Sequence, residues 1–476
     1  MKKITFVFIF ITFLAAGQDF TDVTGNLPQL QDGFCAWGDY DSDGDIDLYY
    51  TGYLNASNPG GGGLYQYDNG DFVLVENSGL PQLKQGEADW ADIDGDGDLD
   101  IVIMGYNDNT YDASTDVYIN NGNGTFSASN SGIINVYWGD VHFVDVNNDQ
   151  KPDVAITGTE TEGYTSVTKI YKNNGNGTFT EIQASITPVN VGTIKFADYD
   201  NDGDQDFVLN GNSTIDDVPY TKIWKNNGDE TFTETTIALA QLWTGDMEWF
   251  DANNDSYIDL IISGSNSSSD SEIHLYLNNG DGTFTEKSFI GESVDEGDIV
   301  TADFDNDGDI DIFLNGKHQS GSSSNYVAHL YINYGDATFT ENTSTDLLAV
   351  SNGDADAADY DNNDLPDLFV TGNRESGSSV YGYAALYKNG ETTEIVITNS
   401  SKDFKIYPNP ATENLFIENL NDNTFQLKIL DITGKIIYQN NDNKSLKIKV
   451  TDYPKGVYFV KIKQENKTIV HKILVK

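Results

Sequence analysis

Seven times the chain sets aspartate or asparagine at alternate positions ahead of a short apolar run and a glycine. Four copies are complete: Asp39, Asp41, Asp43, Gly44, Asp45, Asp47; Asp92, Asp94, Asp96, Gly97, Asp98, Asp100; Asp198, Asp200, Asp202, Gly203, Asp204, Asp206; and Asp303, Asp305, Asp307, Gly308, Asp309, Asp311. The other three carry an amide and lose the glycine: Asp145, Asn147, Asp149, Gln150, Asp153; Asp251, Asn253, Asp255, Ser256, Asp259; and Asp359, Asp361, Asn363, Asp364, Asp367. Oxygens at positions one, three, five and nine, around a turn at six, are hard ligands on a tight curve. Calcium suits them best, because it accepts many oxygens in a loose geometry. The aspartates at position seven, Asp45, Asp98, Asp204 and Asp309, count among the candidate ligands. Carboxylates crowded at one point repel by about 1 kcal/mol per pair at ~4 Å even in water, a cost that a divalent ion offsets.

An EF-hand would place a bidentate Glu at position twelve, where this chain has Tyr50, Ile103, Ile156, Leu209, Ile262, Leu314 and Val370. The loop therefore runs into a buried strand and not into a helix. A single Asp-rich turn is more often a solvated hairpin corner than a metal site. Seven copies in one register point the other way. The weaker loops are expected at Asp145, Asp251 and Asp359, where a bulkier residue replaces the loop glycine and one carboxylate is missing.

The loops recur at intervals of 53, 53, 53, 53, 52 and 56 residues. A fixed period of that size means a propeller or a solenoid. Each period also carries an Asn-Gly turn between an aromatic residue and a Phe, as in Tyr171 to Phe179, which reads as a hairpin. Two hairpins per period give four strands, hence one propeller blade. Phe20, Phe72, Phe126, Phe179, Phe232, Phe284 and Phe339 each precede a loop by nineteen or twenty residues, and no such Phe follows Tyr387. The last blade thus lacks its outer strand. The segment from Phe20 to Val23 is expected to supply it and cover the open sheet edge, with Thr393 to Thr398 as the competing candidate.

On these residues the chain resembles the FG-GAP/VCBS repeat family, whose relatives include the seven-bladed propeller of integrin α chains. The resemblance covers roughly residues 19–398. It implies an all-β, seven-bladed propeller with calcium in the loop between the first two strands of a blade.

The whole chain has 76 acidic and 26 basic residues, a net charge of −50, which argues against nucleic acid and anionic membrane surfaces as partners. Residues 401–476 hold 13 Lys against 8 Asp and Glu, so their net charge is +5 and that of the first 400 residues is −55. A break this sharp marks a domain boundary. Met1-Lys2-Lys3, the apolar run Ile4 to Leu14 and Ala15-Ala16-Gly17 have the layout of a cleaved secretory signal, too short for a transmembrane span. Gln18 follows where a lipoprotein would need Cys, and no other apolar segment has membrane length. Cys35 is the only cysteine, which excludes disulfides within the chain and leaves calcium as the staple.

The C-terminal stretch from Tyr407-Pro408-Asn409-Pro410 through Gly456 to Ile462 and Lys472 to Lys476 alternates apolar and polar residues, the pattern of a small β-sandwich. It resembles the type A sorting tail of the type IX secretion pathway of Gram-negative bacteria. That resemblance implies export through the periplasm and outer membrane, with the secretion machinery as partner and a secreted or cell-surface destination. The expected domains are a signal peptide at 1–17, the propeller at 18–398 and the sorting domain at 399–476.

For ligands, the residues five and three before each loop are polar and mainly acidic: Glu87 and Asp89, Asp140 and His142, Thr193 and Lys195, Asp246 and Glu248, Asp298, and Asp354 and Asp356. On innermost strands they would face the central funnel, as a ligand floor or as a solvated lining. Trp138 and Trp243, in connections leading to those strands, offer flat faces for sugar rings, as do Tyr111, Tyr164, Tyr220, Tyr326 and Tyr381 in other variable loops. Five scattered histidines without metal-ligand spacing, and the lack of a nucleophile motif or phosphate loop, weigh against zinc and acyl-transfer chemistry. Arg374, the sole arginine, reads as solvated. The expected function is a calcium-stabilised binding or adhesion module for an extracellular glycan or protein. The alternative is a polysaccharide-acting enzyme that uses funnel carboxylates.

Overall fold

Every repeat folds as one antiparallel sheet whose second strand opens on the position-nine aspartate. These strands are Asp47–Asn55, Asp100–Asn107, Asp153–Thr159, Asp206–Ser213, Asp259–Ser265, Asp311–Ser320 and Asp367–Ser376. Their first residues are buried without a break, as expected of a strand covered on both faces. The computed structural model describes residues 20–55, 58–68, 70–213, 218–321, 323–377, 379–390, 396–397, 404–420, 425–431, 436–442, 445–451, 453–464 and 467–476. The expected signal peptide lies outside them. The described residues contain strands and no helix.

The chain divides into two compact units, Met1–Gly390 and Glu391–Lys476. In the first, seven sheets are arranged as a propeller-like ring. Their innermost strands are Gln31–Gly38, Lys84–Ala91, Val141–Val144, Ile194–Ala197, Met247–Phe250, Asp295–Ala302 and Ser351–Ala358. Each adjoins the next, and the last returns to adjoin the first. Between sheets sit the large side chains two and four residues before each loop. Trp37 stacks on Tyr360 and Trp249 on Tyr199, while Cys35, Val141, Ile194 and Met247 are buried.

Closure uses the chain's start. Thr21–Asp22 pairs antiparallel with the third strand of the seventh sheet, Thr21 opposite Lys388 and Asp22 opposite Tyr387, and the Val23 amide donates to the Leu386 carbonyl at 2.8 Å. Phe20 packs edge-on against Phe304 and Tyr387. Val396–Ile397 instead pairs in parallel with Lys467–Val475 in the second unit, so the division falls after Gly390 and not after 398.

Adjacent sheets are stitched by one repeated asparagine at the end of the third strand, which the sequence suggested only as a turn residue. The amides of Asn120, Asn173, Asn226, Asn278, Asn333 and Asn389 donate to the carbonyls of Tyr40, Ile93, Val146, Tyr199, Ala252 and Phe304 in the preceding sheet, at 2.7–2.9 Å. At the seventh junction the first sheet has Tyr67 instead, and a cluster of Trp37, Tyr67, Phe72 and Tyr360 replaces the hydrogen bond.

In the second unit a five-stranded and a three-stranded sheet share one apolar core that includes Phe404, Leu415, Ile417, Leu427, Ile429, Val460 and Ile462.

Replacing Asn226 with Ala leaves the buried Val146 carbonyl without its partner and is expected to cost about 1–3 kcal/mol. Urea unfolding of the variant checks this, and an unchanged midpoint would refute the stitch.

Candidate functional site

The acidic loops are built by the position-one aspartate folding the turn around itself. In the first loop Asp39 accepts the amides of Asp43 and Gly44 at 3.0 and 3.1 Å; Asp198 and Asp303 do the same in theirs. Position six holds a positive φ in every copy, including Gln150 at 65°, Ser256 at 71° and Asp364 at 67°. The missing glycine therefore changes the strain of the turn and not its shape.

The position-nine aspartate joins the loop to the sheet. One oxygen of Asp47, Asp100, Asp153, Asp206, Asp259, Asp311 and Asp367 accepts a backbone amide of the third strand in its own sheet, at 2.7–2.9 Å. The other faces the loop. Burial pushes these carboxyls up, to about 6 for Asp100, Asp153 and Asp259, about 7 for Asp47, Asp206 and Asp367, and about 8 for Asp311. Groups held this way at neutral pH take up either a proton or a cation.

Carboxylate oxygens converge within 4.8 Å of one another in five loops: Asp39, Asp41 and Asp43; Asp92, Asp94 and Asp96; Asp198, Asp200 and Asp206; Asp303, Asp305 and Asp311; and Asp359, Asp361 and Asp367. Buried oxygens of Asp200, Asp206, Asp305, Asp361 and Asp367 have no hydrogen-bond partner. That donor set fits a hard divalent ion.

The structure separates the loops further. The loop at Asp359, expected to be weak for its missing glycine and one fewer carboxylate, gathers three carboxylates, because its amide Asn363 stands at position five and leaves position three acidic. In the loops at Asp145 and Asp251 the amide is at position three and turns into the cluster: Asn147 donates to Asp153 at 2.9 Å and Asn253 to Asp255 at 3.0 Å. An amide N–H there does part of a cation's work. Position seven does not close on its own loop: Asp204, Asp309 and Asp45 accept the amides of Asn148, Asn254 and Asn362 from the preceding loops. Asp98 lies beside Gly122.

A basic or amide side chain on the third strand also discriminates among loops. Lys225 pairs with Asp200 and Asp202, Lys388 with Asp361, and Gln66 donates to Asp41. The loops at Asp92 and Asp303 have Ile119 and Ile332 at that position on the third strand.

The second candidate region is the central channel, a cavity of about 400 Å³ lined by Glu87, Asp89, Asp140, His142, Thr193, Lys195, Asp246, Glu248, Asp298, Asp354 and Asp356. Four of these acids are partly structural. Asp89, Asp140, Asp246 and Asp354 each accept the backbone amide of the next inner strand, from Phe143, Ile194, Ile299 and Cys35, at 2.8–3.1 Å. His142 lies 3.1 Å from Asp140, and that carboxylate holds the imidazolium up at about 10. Lys195 pairs with Glu248 at 2.9 Å. Burial and neighbouring carboxylates push Glu87 and Asp298 well above the usual range, and burial raises Asp246 and Asp356 to about 7. One Asp298 oxygen is buried without a partner.

Above it a second cavity of about 400 Å³ forms the mouth. Each repeat contributes there a residue in the left-handed region, seven before the loop: Asp32, Gln85, Trp138, Val191, Thr244, Glu296 and Asn352, with φ between 46° and 53°. For Val and Thr such angles are outliers, costing of order 1–3 kcal/mol each. The glycine that follows makes the bulge possible, since a side-chain carbon on Gly86 would sit 1.9 Å from the Met104 carbonyl and one on Gly245 1.9 Å from that of Ser263. The only signal in the sequence was that recurrent glycine, six before each loop. Trp138 lines the mouth. Trp243 does not: it stands one position earlier, bridged to Ser265. Tyr111 and Tyr164 are exposed, whereas Tyr220 bonds Glu234, Tyr326 accepts the Glu375 amide, and Arg374 bonds the Ala349 carbonyl.

The FG-GAP-like repeat family matches residues 39–103, 92–156, 145–209, 198–262, 251–314 and 303–370, and the secretion system C-terminal sorting domain matches 405–476. No curated protein matches the chain. Solved structures similar to it include the extracellular domain of a one component system from B. thetaiotaomicron, at 12% identity and a TM-score of 0.37 over 96% of this chain and 59% of that one. This chain thus spans about 59% of that relative's length. The V. cholerae biofilm matrix protein Bap1 matches at 13% and 0.32, over 94% and 81% of the two chains. Sucrose-6-phosphate hydrolase from Lactobacillus gasseri matches at 10% and 0.28, over 84% and 90%.

Two outcomes are expected. With calcium removed by EGTA, the position-nine carboxyls bind protons in the folded state that the unfolded chain has released above about pH 4. Their folded pKa values are raised, so stability is greatest in mild acid and falls as pH rises through 6 to 8. Calcium replaces those protons and flattens the slope. Melting temperatures across this range, with and without calcium, check it. Lys225→Ile removes an ammonium from the Asp198 loop and should tighten calcium there by up to about fivefold, read by calorimetric titration.

Proposed function

The chain belongs to the FG-GAP-like repeat family and ends in a secretion-system sorting domain, and from that premise we propose that it is a calcium-stabilised binding module for an extracellular glycan. The sorting domain directs export by the type IX machinery to the cell surface or extracellular space. No helix among the described residues is long and apolar enough to cross a membrane.

In this reading calcium sits in the acidic loops at one end of the ring. It is held by the carboxylates of positions one, three and nine, with position five contributing in the first two loops. The ion supplies charge neutralisation there; the chain's own residues shape the opposite end, where the channel opens. The observation that carries binding over catalysis is the use of the channel acids: Asp140, Asp246 and Asp354 each tie one oxygen to the neighbouring inner strand. They are held as framework of the channel wall.

The second reading, an enzyme acting on polysaccharide, draws on Asp246 and Asp356, raised by burial to about 7, where a carboxyl serves as general acid at neutral pH. An array of extracellular polysaccharides, probed with and without EGTA and followed by product analysis, separates the two. Calcium-dependent retention without shortened products supports the module. Released oligosaccharide supports the enzyme, and no retention overturns the glycan reading.

A further inference from the structure

The mouth of the channel has unlike sides. Trp138 is 44% exposed and Val191, its neighbour around the ring, 40% exposed. The indole rests on buried Tyr137 at 5.0 Å between ring centres, and Tyr137 on Tyr106 at 5.2 Å. The backbone of Trp138 is fixed from both sides, its amide donating to the Gln85 carbonyl at 2.9 Å and its carbonyl accepting from the Val191 amide at 3.0 Å. A large aromatic on a left-handed backbone, braced by the sheets on either side, is a pre-set flat surface. It loses little freedom when something settles on it.

The rest of the rim is polar. Across the ring the Asn352 amide donates to the Glu296 carboxylate at 3.0 Å, and in the repeat next to Trp138 the Gln85 amide donates to Asp32 at 3.0 Å. On the floor, shared by mouth and channel, lies the unpartnered buried oxygen of Asp298. Acidic residues line the mouth and no basic residue does so among the described residues.

We propose that this mouth is a subsite for the terminal unit of a neutral glycan, with one face of a pyranose on the Trp138 indole and its hydroxyls bonded to Gln85, Glu296, Asn352 and Asp298. The assignment deepens the glycan-binding reading above and rests on it. A sugar ring has the two-sided character the cavity asks for: an axial C–H face that packs on an aromatic plane, and an equatorial belt of hydroxyls that satisfies carboxylate and amide groups. A volume near 400 Å³ suits one or two such rings and not a folded surface. One lysine, Lys317, pairs with Glu296 at 3.7 Å, and the lining acids Asp32, Glu296 and Asp298 outnumber it, which disfavours uronate or sulfated ends.

The test uses the full secreted chain with calcium, on oligosaccharides ending in glucose, galactose, mannose or N-acetylglucosamine, and on their glucuronate-ended counterparts. Trp138→Asn removes the indole while keeping a residue that tolerates positive φ, and its melting temperature should equal or exceed that of the parent. Glu296→Gln is the second variant. The expected result is binding of at least one neutral end, weakened tenfold or more by Trp138→Asn and several-fold by Glu296→Gln, and no binding of glucuronate ends. Neutral sugar bound equally by parent and Trp138→Asn overturns the mouth and leaves the glycan-binding reading standing. Preference for glucuronate ends overturns the neutral class. A parent that holds no glycan on either panel overturns both.

Discussion

The buried aspartate at position nine is the constraint on which the ring depends. It ends the loop, begins the second strand, and accepts a backbone amide from the third strand, so three segments of one sheet meet on a single carboxylate. The residue whose amide it accepts is, in six sheets, the asparagine that reaches the preceding sheet. Loop geometry and contact between sheets are thereby coupled through two adjacent polar groups in an apolar setting, where hydrogen bonds are strong and unpaired groups costly.

Charge is handled differently at each site. In the loops at Asp92 and Asp303 the third strand carries an isoleucine, Ile119 or Ile332, where others carry a lysine or an amide. In those at Asp198 and Asp359 a lysine reaches in, and in those at Asp145 and Asp251 an amide turns inward. The repeats share a backbone but not one balance of charge. A chain with a net charge of −50 therefore distributes its uncompensated carboxylates unevenly around the ring.

The two ends of the ring also differ in kind. At the loop end, positive φ falls mostly on asparagine and glycine, which tolerate it, with Ser42, Gln150, Ser256 and Asp364 among the departures. At the channel mouth it falls on Trp138, Val191 and Thr244, which do not. Backbone hydrogen bonds between neighbouring repeats, such as Trp138 to Gln85, hold that strain in place. Strain held by structure at one end of a channel, beside exposed apolar and unpartnered polar atoms, is the asymmetry expected of a binding end.

Much was legible in the residues themselves. The period, the four strands per repeat, the acidic loops and the charge break near residue 400 follow from local chemistry that repeats, and repetition makes a weak signal strong. The missing Phe after Tyr387 was enough to point to the chain's start as a strand for the last sheet. Local pattern could not tell which way a side chain turns once neighbouring repeats close on it. Asp45, Asp204 and Asp309 look like ligands in sequence and serve the preceding loop in space; Trp138 and Trp243 look alike and differ by one position of a bulge. The sequence alone determined the unit and its donor atoms, because both arise within a few residues. Only the tertiary structure decided which donors converge, because that depends on contacts between repeats some fifty residues apart.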